Sequence, residues 1–215
     1  MTMRIRLTGA LTALALLAGC GGGDGLGAAL QGGLASLTGT GGAAASAAAA
    51  PAGTAADPAT LRRVELATIG IVGTAQQLTA SGGRQTFAGP EGFTYTLHDG
   101  MLVSTRGLSH DLMAADTRQS RAALRAGGGE ALRVHETLDG LDRIVRSEFA
   151  CTITARGAET IEIGNRQKEA RRFDENCRGE GVIFDNHYWI DGSGRIVSSR
   201  QFVNLSVAYL RSSDL

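Results

Sequence analysis

Ser109, His110 and Asp111 stand in a row, and their types are those of a nucleophile, a base and an orienting acid. Consecutive residues cannot assemble such a triad, because its members must converge from separate elements. No G-x-S-x-G elbow is present. Within "GLSHDLM", His110 and Asp111 are therefore expected to shape a loop. His98 sits beside Asp99 in a hairpin turn, and His135 and His187 fall inside strand patterns. Four histidines without paired spacing predict no metal site. Asp174, Glu175, Glu180 and Asp185 are the carboxylates available for glycosidase work, which needs two of them about 5–10 Å apart across a cleft. Their alternation with Arg171, Arg172 and Arg178 reads instead as a solvated charged loop. Tyr188 and Trp189, with Arg200 and Gln201, form the best candidate for glycan or partner contact. Aromatic faces stack on sugar rings, and guanidinium and amide groups bond hydroxyls. On a strand Tyr188 and Trp189 point to opposite faces, so one of the two is expected in the core.

Glycine supplies a second candidate. Residues 23–28, "GDGLGA", fit the dinucleotide fingerprint G-x-G-x-x-G/A. That fingerprint needs a strand before it and an acid about 20 residues on. Here an eleven-residue apolar run, residues 7–17, follows Arg4 and Arg6, and the first acid after Asp24 is Asp57. A positive start, a short apolar run and small residues before Cys20 make a secretory signal, too short to span a membrane. "LAGC", residues 17–20, looks like the lipobox of bacterial lipoproteins, which implies a signal over residues 1–19 and acylation of Cys20. Gly21 lacks the Asp that retains such proteins at the inner membrane, so the same resemblance implies the outer membrane. Residues 21–58 are almost wholly Gly, Ala, Ser, Thr and Leu. They read as a flexible tether, with an r.m.s. reach of roughly 30–35 Å.

From residue 59 to residue 215 the chain alternates apolar and polar residues between turn signals, the pattern of half-buried strands. "FTYTL" and "MLVST" flank Asp99-Gly100, a hairpin step that favours type I′ geometry. Residues 132–138 and 142–154 flank Asp139-Gly140. Arg156-Gly157 is expected to turn the chain into residues 160–163. Residues 182–190 return through "DGSG" along residues 195–205. An earlier pair, about 62–73 and 74–80, is interrupted by Gly70 and Gly73. Residues 117–126, "TRQSRAALRA", predict one short helix closed by glycines. The expected fold is all-β with one short helix: an antiparallel meander of eight to ten strands, curled into a barrel or half-barrel.

The full chain carries 21 basic and 21 acidic residues. This balance, with no basic stripe, argues against a nucleic-acid partner. With Cys20 acylated, Cys151 and Cys177 remain, in an oxidising compartment, and a disulfide is expected. Closing that loop of 27 residues is worth roughly 3.5 kcal/mol in the chain-entropy model. The rival, zinc, lacks a C-x-x-C partner or a nearby histidine pair.

Beyond the signal, residues 60–210 resemble the YjbF/GfcB lipoproteins, an accessory family of group 4 capsule and exopolysaccharide secretion. The resemblance is carried by "MLVSTRGLSHDLMAAD" (101–116), "FACTI" (149–153), "RRFDENCRGEG" (171–181), "NHYWID" (186–191) and "GRIVSSRQFVN" (194–204). Phe202 and Ser109 depart mildly, standing where the family favours tryptophan and glycine. The resemblance implies an all-β lipoprotein of the periplasmic face of the outer membrane. It would assist capsule or exopolysaccharide secretion through polysaccharide or export-protein contacts, with no catalytic reaction or cofactor. The alternatives are a glycan-acting periplasmic enzyme and a carrier of a lipid or small hydrophobic ligand.

Overall fold

In a computed structural model, the alternating pattern becomes twelve strands and one α-helix; the structure describes residues 57–179 and 181–215. The signal of residues 1–19, Cys20 and the tether through residue 56 lie outside the described residues, as does Glu180. Asp57 caps a short turn, accepting a hydrogen bond from the Ala59 amide at 2.9 Å, and the chain then enters the sheet. The strands are β1 (Leu61–Leu66), β2 (Ile71–Ser81), β3 (Arg84–Ala88), β4 (Thr94–His98), β5 (Met101–Arg106) and β6 (Ala114–Asp116). Helix α1 (Arg118–Ala126) follows, then β7 (Gly128–Leu138), β8 (Ile144–Ile163), β9 (Arg166–Gly179), β10 (Val182–Ile190), β11 (Ile196–Asn204) and β12 (Ala208–Asp214).

All twelve belong to one antiparallel sheet, in the order β5-β4-β3-β2-β1-β12-β11-β10-β9-β8-β7-β6, nearly closed into a barrel. The count exceeds the expected eight to ten. Part of the excess is β3, whose polar residues around Gly82-Gly83 do not advertise a strand. The first pair also breaks earlier than expected. β1 ends at Leu66, the turn is Ala67–Ile69 with Gly70, and Gly73 lies inside β2 opposite Val64.

Two glycines decide local geometry. Asp99 and Gly100 adopt φ of 50° and 81°, the left-handed pair that a type I′ hairpin demands. Arg156-Gly157 is not a turn, contrary to expectation. Gly157, at φ 106°, sits at a bulge, and β8 runs straight through it to Ile163. One extra residue exchanges the two faces of a strand. Before the bulge Phe149, Cys151 and Ile153 point into the main core. After it Ile161 and Ile163 pack with Ala170, Val197 and Trp189 in a separate small cluster. The segment 168–178, read as a solvated loop, is strand β9. Its charged residues alternate with Phe173 and Cys177, and that alternation places them on two different faces.

The barrel interior is filled. Phe149, Ile153, Phe173, Phe184 and Tyr188 pack under Leu124 of α1, while Val64, Leu66, Phe87, Tyr95, Leu97 and Leu210 fill the other half. Outward positions of β7 and β8 carry Glu130, Arg146, Glu148 and Thr152, the reverse of a membrane-spanning barrel. Where the rim stops short of closure, between β5 and β6, side chains complete it. The Thr105 amide donates to the Leu112 carbonyl at 2.9 Å, and Arg106 donates to the carbonyls of Leu112 and Met113. Deeper in, the Gln201 amide group accepts from the Leu102 amide at 2.7 Å and donates to the Gly100 carbonyl at 2.9 Å. Arg133 donates to the Leu102 carbonyl at 3.4 Å.

Consecutive turns alternate between the two ends of the barrel. One end holds residues 67–70, 89–93, 107–113 and 139–143, Gly181, and residues 205–207. The other holds residues 82–83, 99–100, 164–165 and 191–195, together with the chain start at Asp57 and the C-terminus.

Candidate functional site

The period of two splits the four candidate contact residues into pairs. Tyr188 and Gln201 point inward and are fully buried, whereas Trp189 and Arg200 point outward and line one depression of about 540 Å³. The four do not form one site.

The inward pair belongs to a dry polar network. Glu175 Oε2 accepts from Arg133 at 2.8 Å, from the Tyr188 hydroxyl at 2.7 Å and from Asn186 Nδ2 at 2.7 Å. Burial alone would raise the Glu175 carboxyl. The Arg133 charge and hydrogen bonds from Asn186 and Tyr188 outweigh burial and hold it below its ordinary value. Burial and the neighbouring carboxylate raise the Tyr188 hydroxyl well above its usual range. Arg133 Nε donates to His135 Nε2 at 3.0 Å, so that nitrogen is an acceptor. The His135 ring is stacked among Phe149, Phe184 and Phe202, and burial, then the Arg133 charge, push it down to about 3. Arg133, Asn186 and Tyr188 spend donors on Glu175, His135 and the β5 backbone, whereas Ser120 Oγ and Glu175 Oε1 are buried without a hydrogen-bond partner among the described residues.

The Cys151 and Cys177 sulfurs lie beside Glu175. They are directly opposite one another on β8 and β9 and are joined as a disulfide, with Cα atoms 4.0 Å apart. Thiolate ligation is thereby removed from that trio.

The outward pair belongs to a wetter cluster on β9 to β12. His187 lies between two carboxylates, with Nδ1 2.8 Å from Asp174 and Nε2 2.8 Å from Asp185. Asp174 is also held by Arg172 at 2.9 Å and Arg156 at 2.8 Å, and Asp185 by Arg200 at 3.1 Å. Burial would raise Asp174, but the donors Arg172, Arg156 and His187 bring it below its ordinary value. A general acid needs the opposite shift. The Arg172 guanidinium lies over the Trp189 ring, and the Arg200 guanidinium lies 3.4 Å from the Tyr209 ring centroid. Trp189 Nε1 donates to Glu159. The aromatic faces are thus covered by guanidinium groups, and the exposed chemistry is cationic. Arg211, more than half exposed, extends the cluster toward β1.

Arg172, Asp174, Asp185, His187 and Tyr209 were not grouped from the sequence. Their signal is the shared parity of "RFD", "DNHYW" and "AYLR" on adjoining strands, which becomes visible once the pairing order is known. The remaining sequence candidates behave as loop formers. Asp111 accepts from Thr105 Oγ1 and the Gly107 and Leu108 amides at 2.8–3.2 Å, and the His110 carbonyl accepts from Asn204.

The fold is thus a nearly closed β-barrel with a filled interior and an ionic cluster on its outer face. The family model for "Group 4 capsule polysaccharide lipoprotein gfcB, YjbF" matches residues 26–213, and the chain belongs to this family. By its description the family is one of capsule polysaccharide lipoproteins. The crystal structure of the hypothetical lipoprotein YmcC from Escherichia coli shares the fold. It has 17% sequence identity and a TM-score of 0.61, over 71% of this chain and 81% of that chain. No curated protein matches the chain.

Proposed function

We propose that the protein is an outer-membrane lipoprotein, held at the periplasmic face by acylated Cys20, that assists secretion or assembly of a capsule or exopolysaccharide. Its contact surface is the outer depression on β9 to β12, and the class of polysaccharide that fits it is acidic. One observation carries this reading. In the lining of the depression itself Arg172, Arg200 and Arg211 face a single carboxylate, Asp185, while Asp174 and Glu65 pair with Arg172 and Arg211 from outside the lining, and two of these guanidinium groups already occupy the aromatic faces. Sugar carboxylates bind guanidinium by charge-assisted, bidentate hydrogen bonds, whereas a neutral glycan would need the bare rings. The filled interior disfavours the carrier alternative, and the lowered Asp174 carboxyl disfavours the glycan-cleaving one.

The test is binding of the full protein to purified acidic and neutral polysaccharides, beside an Arg200→Ala/Arg211→Ala variant. Retention of acidic glycan by the parent, lost at elevated salt and in the variant, is the expected result. Equal retention by parent and variant would sink the assignment of this surface. Deletion of the gene should lower surface polysaccharide, and an unchanged amount and attachment would reject the secretion role. Replacing Cys20 with alanine should release the protein from membranes.

A further inference from the structure

The two ends of the barrel are built from different residues. The end that receives the chain at Asp57 has turns of Gly82-Gly83, Asp99-Gly100, Gly164-Asn165 and Asp191-Gly192-Ser193-Gly194. Of the six turns at the opposite end, four successive ones of neighbouring strand pairs present a bare aliphatic side chain, and the other two, 89–93 and 107–113, carry Glu91 and His110 instead. The aliphatic side chains of the four are Ile69, Leu141 with Ile144, Ile183 and Leu205, at 42%, 73%, 69%, 73% and 76% exposure. Among the described residues ten large apolar side chains are exposed, and eight of them lie in or next to these turns. Turn tips ordinarily take polar residues, and scattered exposure would have no preferred end.

We infer that this apolar end seats in a lipid bilayer surface, the same membrane to which Cys20 is attached. The inference rests on the reading of Cys20 as the lipidated residue. Three observations favour lipid over a protein groove or a second copy. The side chains come from four separate turns and form no single continuous segment for a groove to grip, whereas acyl chains and headgroups move aside for each. In the β7–β8 hairpin Arg143 is paired with Asp139 at 2.7 Å and Arg146 with Glu148 at 3.0 Å, which leaves Asp142, among the described residues, as the one charge of the turn outside an ion pair and little charge for a charged partner to meet. The third is a length. Asp57 joins the domain at the far end, and a strand such as β10, nine residues long, spans about 30 Å. Residues 21–56, 36 residues of Gly- and Ala-rich sequence, have an r.m.s. reach of about 30–36 Å as flexible chain. The leader is long enough to climb from the bilayer to Asp57 with the opposite end seated on that bilayer.

The experiment uses the full lipidated protein in vesicles of phosphatidylethanolamine and phosphatidylglycerol. An environment-sensitive fluorophore is placed by Leu141→Cys at the apolar end or by Ser193→Cys at the polar end, and quenching by spin-labelled lipid is read. Flotation with the vesicles reports the anchor, and quenching reports the seat. Expected are flotation of both labelled proteins and about twofold or more stronger quenching at position 141, as for side chains lying about 5–10 Å into the headgroup boundary. Adding Ile144→Asp and Leu205→Asp, with the far-UV spectrum unchanged, should remove that difference. Flotation with equal quenching at both positions overturns the seat and leaves the anchor standing. Failure to float overturns both. Shielding of position 141 from a water-soluble quencher that rises with protein density, without quenching by lipid, assigns the end to a second copy and rejects lipid. The same shielding seen only in cell envelopes assigns it to a protein partner and likewise rejects lipid.

Discussion

Asp174 and Glu175 are neighbours on β9, His187 and Tyr188 are neighbours on β10, and each pair is divided between two clusters built from similar parts. Inside the barrel, Glu175 meets Arg133, Tyr188 and Asn186, with every one of these groups buried. Outside, Asp174 meets Arg156, Arg172 and His187 in partial contact with water. Both hold a carboxylate below its ordinary value. What differs is the cost of disturbing them. Removing one partner of a dry pair strands a charge that water cannot reach, while a wet pair re-solvates. The inner cluster therefore specifies the fold, and the outer cluster is free to exchange partners.

That contrast predicts a graded series. Glu175→Ala should destabilise the protein by about 3–5 kcal/mol by leaving Arg133 buried and unpaired, read as a fall in the urea midpoint; a loss below that of Asp174→Ala would erase the distinction between the clusters. Cys151→Ser/Cys177→Ser should cost about 3.5 kcal/mol through the freed loop, measured the same way without reductant, while glycan retention by the folded fraction is unchanged. His135 titrates inside the dry cluster. Its folded value of about 3 lies below the ordinary 6.5, so the unfolded chain binds the extra proton first. Its contribution is present above pH 6.5 and is lost as pH falls toward 3. Between pH 6.5 and 5 the loss is about 1.5–2 kcal/mol. His135→Gln, which keeps an acceptor for Arg133, should flatten that slope; an unaltered slope in denaturation curves across this range would contradict it. Asp174→Ala should cost no more than about 1 kcal/mol and should show itself mainly as altered salt dependence of polysaccharide retention.

The legible part of this molecule was whatever depends on local alternation. The Asp99-Gly100 hairpin, helix α1, the opposite facing of Tyr188 and Trp189, and the placement of both cysteines all follow from period and turn chemistry. The illegible part depends on non-local pairing. Gly157 reads as a turn because Arg-Gly steps usually are turns, and only the pairing of Ala155 with Phe173 and Gly157 with Arg172 makes it a bulge. β9 reads as a solvated loop because its charge density hides Phe173 and Cys177 as inward residues. Arg133 gave no warning of burial, since its partner Glu175 is 42 residues away. The outer cluster was invisible for the same reason: β9, β10, β11 and β12 each contribute a part, and none carries a motif alone.

The seam between β5 and β6 has a consequence for a protein held on a surface. An unpaired strand invites a neighbour's strand, and lipidation would confine many copies to two dimensions, where neighbours meet often. At Leu102 the invitation is withdrawn from within. Gln201 and Arg133 occupy its amide and carbonyl, so that stretch of the edge offers nothing to pair with. β6 is only three residues long and leads into α1. At that point of the rim, Leu102, two core side chains take the place of a thirteenth strand.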